Sequence, residues 1–369
     1  MSLSTSCSNQ FILPDLVADC PYTSRMNSHC AEVARASERW LLRGTHFRSA
    51  RRHTFGGLKA GELTAACYPD ADAHHLRVCV DFMNYLFNLD DWLDEFDEDD
   101  TNAMGRYCIG TMRDPHNFRT EKMAGKMTKS FFIRLEQDAG PGCKERFIHT
   151  MDLFFKAVYQ QALDRKNGVV PDLESYIAMR RDTSGCKPCF ALIEYAGSFD
   201  LPDEVVQHPV IQALEEATND LVTWSNDLFS YNKEQCKGDT HNMISVMEQQ
   251  GYTLQQAVNF VGAYSRQAIE RFERERHNVP SWDAEIDRHV AMYIDGLQNW
   301  IVGSLHWSFD SERYFGKKGR QIKKTRSIAL LPKAGSPESL LKPYTPPMKR
   351  QRSHHNLRQQ ASSRSLRHS

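Results

Sequence analysis

The sequence predicts an all-α protein, and three observations carry that expectation. From about His29 to Phe315 apolar residues recur three and four apart, as at Val78, Phe82, Tyr85, Leu86 and Leu89. That is the period of a helix with one buried face. No β-branched run of alternating polarity interrupts the pattern, and no glycine-rich nucleotide loop or internal repeat is present. Helix-breaking residues fall between the periodic segments, at Pro69, Pro115, Gly140 to Gly142, Gly168, Pro202, Gly238 and Pro280.

Taken in order, Asp81 to Leu93, Phe147 to Leu163, Val205 to Tyr231, Thr253 to Phe272 and Ala284 to Ser304 are each long enough for three or more helical turns. The spacing predicts about ten helices in one domain over 29–315, with an N-terminal segment at 1–28. Composition agrees: the 369 residues are 40% hydrophobic and 25% charged, the balance of a globular chain. Mean hydropathy is −0.57, and no apolar run reaches the roughly 18 residues a membrane span needs. The start, MSLSTSCSNQFILPDL, has neither a basic n-region nor a long apolar stretch, so a cytoplasmic protein is expected.

Charge divides the chain. Residues 316–369 hold fourteen Lys and Arg against the single acid Glu338, leaving 32 basic and 46 acidic residues in 1–315, a net of −14. The basic end also carries five prolines and eight serines, so 316–369 reads as a disordered tail. Its composition suits a solvated segment better than a nucleic-acid-binding one. Ten cysteines show no repeating spacing. Only Cys186 and Cys189 form a C-x-x-C, and without a second such pair they read as reduced core thiols.

The chemistry gathers in two acidic clusters. LFNLDDWLDEFDEDD, from Leu86, places eight carboxylates within eleven residues, as a metal site, a proton donor or a solvated turn would. Asp90 and Asp94 are four apart and share one face at the end of a helix, where they repel each other and meet the negative end of the dipole. A divalent cation bound through oxygen would remove that conflict. The second cluster, TWSNDLFSYNKEQ from Thr223, sets Asn226, Ser230 and Glu234 at i, i+4 and i+8, one stripe of hard oxygen donors on an otherwise apolar helix.

With both clusters in view, the chain resembles class I terpene synthases, and among them fungal, especially basidiomycete, sesquiterpene synthases. N-D-L-F-S-Y-N-K-E matches the family's N-D-x-x-S-x-x-x-E metal motif, and D-D-W-L-D matches its aspartate-rich motif. MRRDTSG places Arg180 where the family carries a diphosphate-sensing arginine, and SERYF supplies its Arg313–Tyr314 pair. The resemblance covers about Phe11 to Phe315. It implies a single α-helical bundle around an apolar cavity, with Mg²⁺, three ions, held by Asp90, Asp94, Asn226, Ser230 and Glu234. The implied reaction ionises farnesyl diphosphate and cyclises the carbocation, releasing diphosphate.

Arg180, Arg313 and Lys233 would then stabilise the leaving group, with Tyr314 as hydrogen-bond donor. Phe87 and Trp307 would offer aromatic faces to the cation. Thr183 stands where bacterial relatives often have an aspartate, and with Ser184 and Gly185 it marks a helix break beside the substrate. Asp97 to Asp100 also spells the D-x-D-D of class II cyclases. A protonated acid would need an apolar pocket that this acidic turn does not supply, so a solvated turn is expected. A chain-elongating prenyl synthase is the nearest alternative, since it shares fold and leaving group. It would carry a second D-D-x-x-D in place of N-D-x-x-S-x-x-x-E. An inactive helical scaffold is the other. The tail from about Lys318 is expected to be dispensable.

Overall fold

The helices follow the periodicity, and their ends follow local chemistry. In the computed structural model residues 9–45, 55–95 and 98–333 are described, apart from the side chains of Asp90, Asp91, Asp94 and Glu95. Thirteen helices of seven or more residues are labelled in chain order. They are α1 (Cys30–Gly44), α2 (Ala60–Cys67), α3 (Ala73–Glu95), α4 (Glu98–Arg113), α5 (Met123–Asp138), α6 (Pro141–Asn167) and α7 (Leu173–Thr183). Then come α8 (Cys186–Gly197), α9 (Pro209–Lys237), α10 (Met243–Gln249), α11 (Leu254–Arg276), α12 (Ala284–Asp310) and α13 (Gly319–Thr325). Among the described residues, ten of these with eleven or more residues lie between Cys30 and Asp310.

Pro141 and Pro209 occupy the first turns of α6 and α9, where a missing N–H costs nothing. Gly168 and Gly238 close the same two helices in the left-handed region. Asp172 caps α7 by accepting from Ser175 N at 2.8 Å, and Thr253 with Gln256 forms a capping box on α11. Between α7 and α8 the chain turns through Gly185, whose φ is +71°. A Cβ there would sit 3.1 Å from Leu86 Cδ2, so glycine suits both the left-handed turn and the close approach of the break to α3.

The long, heavily buried α9 packs against both α11 and α12, while α3 and α6 pack against α8. Rings of Phe82, Phe131 and Phe147 fill the core beneath α3, α5 and α6. Among the described residues no helix is long and apolar enough to cross a membrane.

The expectation of disorder from Gly316 onward is corrected over 316–333. After α12 the chain makes a 3₁₀ turn at Gly316–Lys318, enters α13, and forms β2 (Ser327–Ala329). β2 pairs antiparallel with β1 (Gln10–Ile12), Phe11 opposite Ile328. Ile322 and Ile328 are buried, which gives this basic stretch an apolar side to fold on. A Cβ on Gly319 would lie 2.0 Å from Phe309 O, so α13 can double back on α12 only with glycine there. The composition of the longer window averaged these residues with 334–369, which lie outside the described residues.

Candidate active site

One cavity of about 530 Å³ opens among α3, α6, α9, α12 and the α7–α8 break. Its closed end is apolar, with Leu63, Met83, Phe154, Cys186, Cys189 and Trp300 all buried. Its open end is polar and holds Arg180, Lys233, Glu234 and Arg313. α9 supplies one wall because Val222, Asn226, Ser230, Lys233, Glu234 and Lys237 recur at three and four.

The stripe read from the sequence faces this cavity: Asn226, Ser230 and Glu234 all line it. Asn226 links two other walls, since its Oδ1 accepts from Arg180 Nη2 at 2.8 Å and its Nδ2 donates to Tyr314 Oη at 2.6 Å. Among the described residues, buried Ser230 Oγ has no well-formed hydrogen-bond partner, and it sits near enough to Glu234 to oppose part of that carboxyl's shift. Glu234 accepts from Asn242 Nδ2 at 2.8 Å, and burial, with Asp227 and Asp239 nearby, pushes its pKa up to about 7. An orphaned hydroxyl beside a carboxylate that gains from added positive charge fits a cation held through oxygen.

Arg180 ends α7 with its guanidinium against α9. Its Nε donates to Asp227 Oδ1 at 3.1 Å, and Asp227 also accepts from Tyr176 Oη and from Met243 N at 3.0 Å. Burial works against the Arg180 charge, but Asp227, Tyr176 and Glu234 outweigh it and hold the pKa above the ordinary arginine range. Asp227, although it sits inside the N-D-x-x-S-x-x-x-E motif, therefore serves the arginine and not the cavity.

Arg313 lies 4.7 Å from the centre of the Phe87 ring and 5.8 Å from that of Tyr314. Phe87 stacks on Trp307 at 5.6 Å, and Trp307 meets Tyr314 edge-on at 5.9 Å. Trp307 Nε1 donates to Leu58 O at 2.8 Å, which fixes the indole with its face toward these rings. Lys233 Nζ donates to Arg313 O, tying α9 to the turn after α12; burial, then Arg313 and Lys237, lowers its pKa.

At the α7–α8 break, Thr183 Oγ1 pairs with His241 Nε2 at 3.2 Å. Burial, with Arg180 and Arg165 nearby, lowers the His241 pKa to about 3, so the ring is neutral at pH 7. Ser184 Oγ is used by the turn itself: it bonds Arg181 O and Asn219 Oδ1 and accepts from Cys186 N. Cys186 and Cys189 stand as free thiols, and burial pushes both pKa values up.

The backbone of Asp90 and Asp94 lies in the last turns of α3. Their side chains, and Asp97 as a whole, lie outside the described residues. Asp99 and Asp100 are exposed in the first turn of α4, where carboxylates suit the dipole.

Sequence reasoning missed several residues. Tyr176, Asp227 and Asn242 join elements far apart in the chain, and nothing local announces it. Arg165 and Lys237 bring two more cations to the open end of the cavity. Lys237 lies three and four residues from the stripe's Glu234 and Lys233, so its helical phase could have found it; Arg165 carries no such signal.

A helical bundle with a polar-mouthed apolar cavity defines the class I terpene synthase architecture. The crystal structure of germacradien-4-ol synthase from Streptomyces citricolor superposes with a TM-score of 0.68 at 23% identity, covering 78% of this chain and 96% of that one. At that identity the likeness speaks for the fold. The chain matches the family described as terpene synthase family 2, C-terminal metal binding, over residues 81–271. Sesquiterpene synthase 1 of Postia placenta is 56% identical over 89% of this chain and 98% of the relative. Alpha-muurolene synthase of Coprinopsis cinerea is 50% identical over 87% of this chain and 78% of the relative. The chain belongs to the terpene synthase family, and the enzyme is a terpene cyclase.

Proposed function

We propose that the enzyme is a Mg²⁺-dependent sesquiterpene synthase that ionises farnesyl diphosphate and cyclises the resulting carbocation. The observation that carries this reading is the polarity of this cavity, which sets oxygen donors and cations at its mouth and an apolar wall behind. Asn226, Ser230 and Glu234 on α9, with Asp90 and Asp94 on α3, would hold the metal, three ions in all. When bound, the metal neutralises charge on the diphosphate and so lowers the barrier to its departure.

The protein's own groups do the rest. Arg180, held in place by Asp227, donates to the diphosphate oxygens as the allylic C–O bond breaks. Arg313 and Lys233 line the same cavity and add charge there, and Arg165 and Lys237 extend the same cradle. Tyr314 accepts from Asn226 in this structure, so its own proton remains to be donated to the leaving group. Phe87 and Trp307 present π faces to a cation without offering it a nucleophile. Thr183 and Ser184 shape the break beside the reacting carbon. The apolar floor excludes water, so the cation rearranges and ends by giving a proton to the released diphosphate.

A chain-elongating synthase would need a second aspartate-rich donor set, and α9 presents an amide, a hydroxyl and one carboxylate instead. The purified protein, incubated with Mg²⁺ and the 10-, 15- and 20-carbon prenyl diphosphates, should release diphosphate and a cyclic sesquiterpene from the 15-carbon substrate. Longer linear diphosphates as the only products once isopentenyl diphosphate is added as the five-carbon co-substrate, or no turnover with any of the three, would reject the proposal.

A further inference from the structure

The stripe that faces the cavity lies near the end of α9, where helices fray. Glu234 is one turn from the Gly238 cap, and the last carbonyls of a helix lack partners inside it. Inside the bundle, Asn242 bonds Glu234 and Glu248 accepts from Tyr231 Oη at 2.7 Å. The outer face of the same turns is gripped by a different part of the chain.

There the segment after α13 runs along α9. Asn232 Nδ2 donates to Ala329 O at 3.0 Å, and its Oδ1 accepts from Leu331 N at 2.9 Å. One amide thus copies the donor and acceptor of a neighbouring strand. Gln235 Nε2 donates to Leu331 O at 2.9 Å, and Cys236 Sγ to Pro332 O at 3.0 Å.

The strap is fixed elsewhere as well, so these bonds hold against something firm. Gly319 seats it on α12, and β2 is paired with β1. β1 in turn is held to α11 by Gln255, which accepts from Ile12 N at 2.8 Å and donates to Ile12 O at 2.9 Å. Phe11 of β1 meets Tyr231 of α9 edge-on at 5.8 Å.

We infer that Asn232 and Gln235 are positioning residues: through the 316–333 strap they hold the Ser230–Glu234 turn of α9 in the register its cavity face requires. A donor set placed a fraction of an ångström out loses its cation, and the strap is the outer half of what fixes it. This inference rests on the proposed metal-holding role of that stripe. It also reverses the expectation that everything after about Lys318 is dispensable.

The test compares the full chain with Asn232→Ala/Gln235→Ala, a chain ending at Lys333 and a chain ending at Gly316. Hydrogen exchange of the metal-free proteins is followed in α9. Loss of the side-chain bonds should raise exchange at 231–237 by about 10-fold in the double variant, the effect of a bond or two on local opening. Exchange in α6 should not change. With Mg²⁺ and inorganic diphosphate as probe, the thermal shift should need about 5-fold more Mg²⁺ in the double variant, a factor of ~1 kcal/mol in affinity. The chain ending at Gly316 should show a larger change and the chain ending at Lys333 none. Unchanged exchange in the double variant would overturn the inference, as would faster exchange with an unaltered Mg²⁺ requirement, because the strap would then be a structural tie only. A full chain that shows no Mg²⁺-diphosphate shift at all would sink the metal-holding reading itself, whatever exchange does.

Discussion

Arg180 and Arg181 are adjacent in sequence, and each reaches a buried aspartate on α9, yet they end in different settings. Arg180 binds Asp227, reaches Asn226 and lines the cavity. Arg181 makes a two-point pair with Asp220, at 2.8 Å for each bond, and shares that acid with Arg271 away from the cavity. Asp220 and Asp227 are seven residues apart on one helix, so both acids fall on nearly the same stripe and α7 lies across them. A helical step of roughly 100° sends the two arginines to different ends of that stripe.

The difference lies in what is left to do. Asp220 takes one arginine from α7 and another from α11, and Glu216 pairs with both, so the charges of the cluster are spent on one another and tie three helices together. Asp227 is saturated by Arg180, Tyr176 and the Met243 amide, but Arg180 keeps donors toward the cavity mouth. A buried pair that closes on itself holds structure. One that leaves an aimed guanidinium is arranged for a ligand.

The comparison breaks most visibly at Arg180. Arg180→Ala should lower turnover of the prenyl diphosphate on the order of 10²-fold or more, as for removal of a donor aimed at developing charge. Arg180→Lys should recover little, because one ammonium cannot span Asp227, Asn226 and a leaving group. Thermal denaturation and steady-state kinetics together decide it. Full rescue by lysine, or an activity loss that only tracks lost fold, would count against the sensing role.

Arg181→Ala should behave in the opposite way. Removing it leaves Asp220 with Arg271 alone, and a loss of ~2 kcal/mol in stability is expected for half of a buried, shared pair. Turnover per folded molecule should stay within about 3-fold, since the active-site barrier is then altered by less than ~1 kcal/mol. A denaturant titration beside the kinetics checks both halves. A stable Arg181→Ala with crippled turnover would erase the distinction drawn between the two residues.

How much of this the sequence could show follows from the range of each interaction. The all-α class, the ten long helices and the Asn226–Ser230–Glu234 stripe are periodic features, and periodicity is local. The break at Thr183–Ser184–Gly185 was legible because glycine marks it. What Asp227 does was not: it stands beside Asn226 in the motif, but its partners Tyr176 and Met243 come from α7 and α10. The strap was missed for another reason. Its apolar content is sparse, with Ile322 and Ile328 as its buried residues in a basic stretch, and pairing between β1 and β2 joins residues more than three hundred apart.

A third acid on α9 sharpens the contrast with the smallest expected effect. Glu215 lies five residues before Asp220, and its bonded partner is the Tyr293 hydroxyl, at 2.6 Å, instead of an arginine. Burial pushes its pKa up to about 7; the Tyr293 hydrogen bond opposes that shift and Glu194 adds to it. In the unfolded chain the same carboxyl titrates near 4.3. Well below pH 4 both states keep the proton and the group is neutral toward folding. As pH rises toward 7 the unfolded chain gives up its proton first, so folding stability falls across that window and levels off above it. Glu215→Gln keeps an acceptor for Tyr293 and carries no proton to lose. Its advantage over the parent should grow by ~1 kcal/mol between pH 4.5 and pH 8, the pKa difference discounted for the solvent contact the side chain keeps. Melting temperatures of both proteins across that range measure the gap directly. A gap that stays constant from pH 4.5 to 8 would mean that Glu215 folds already ionised.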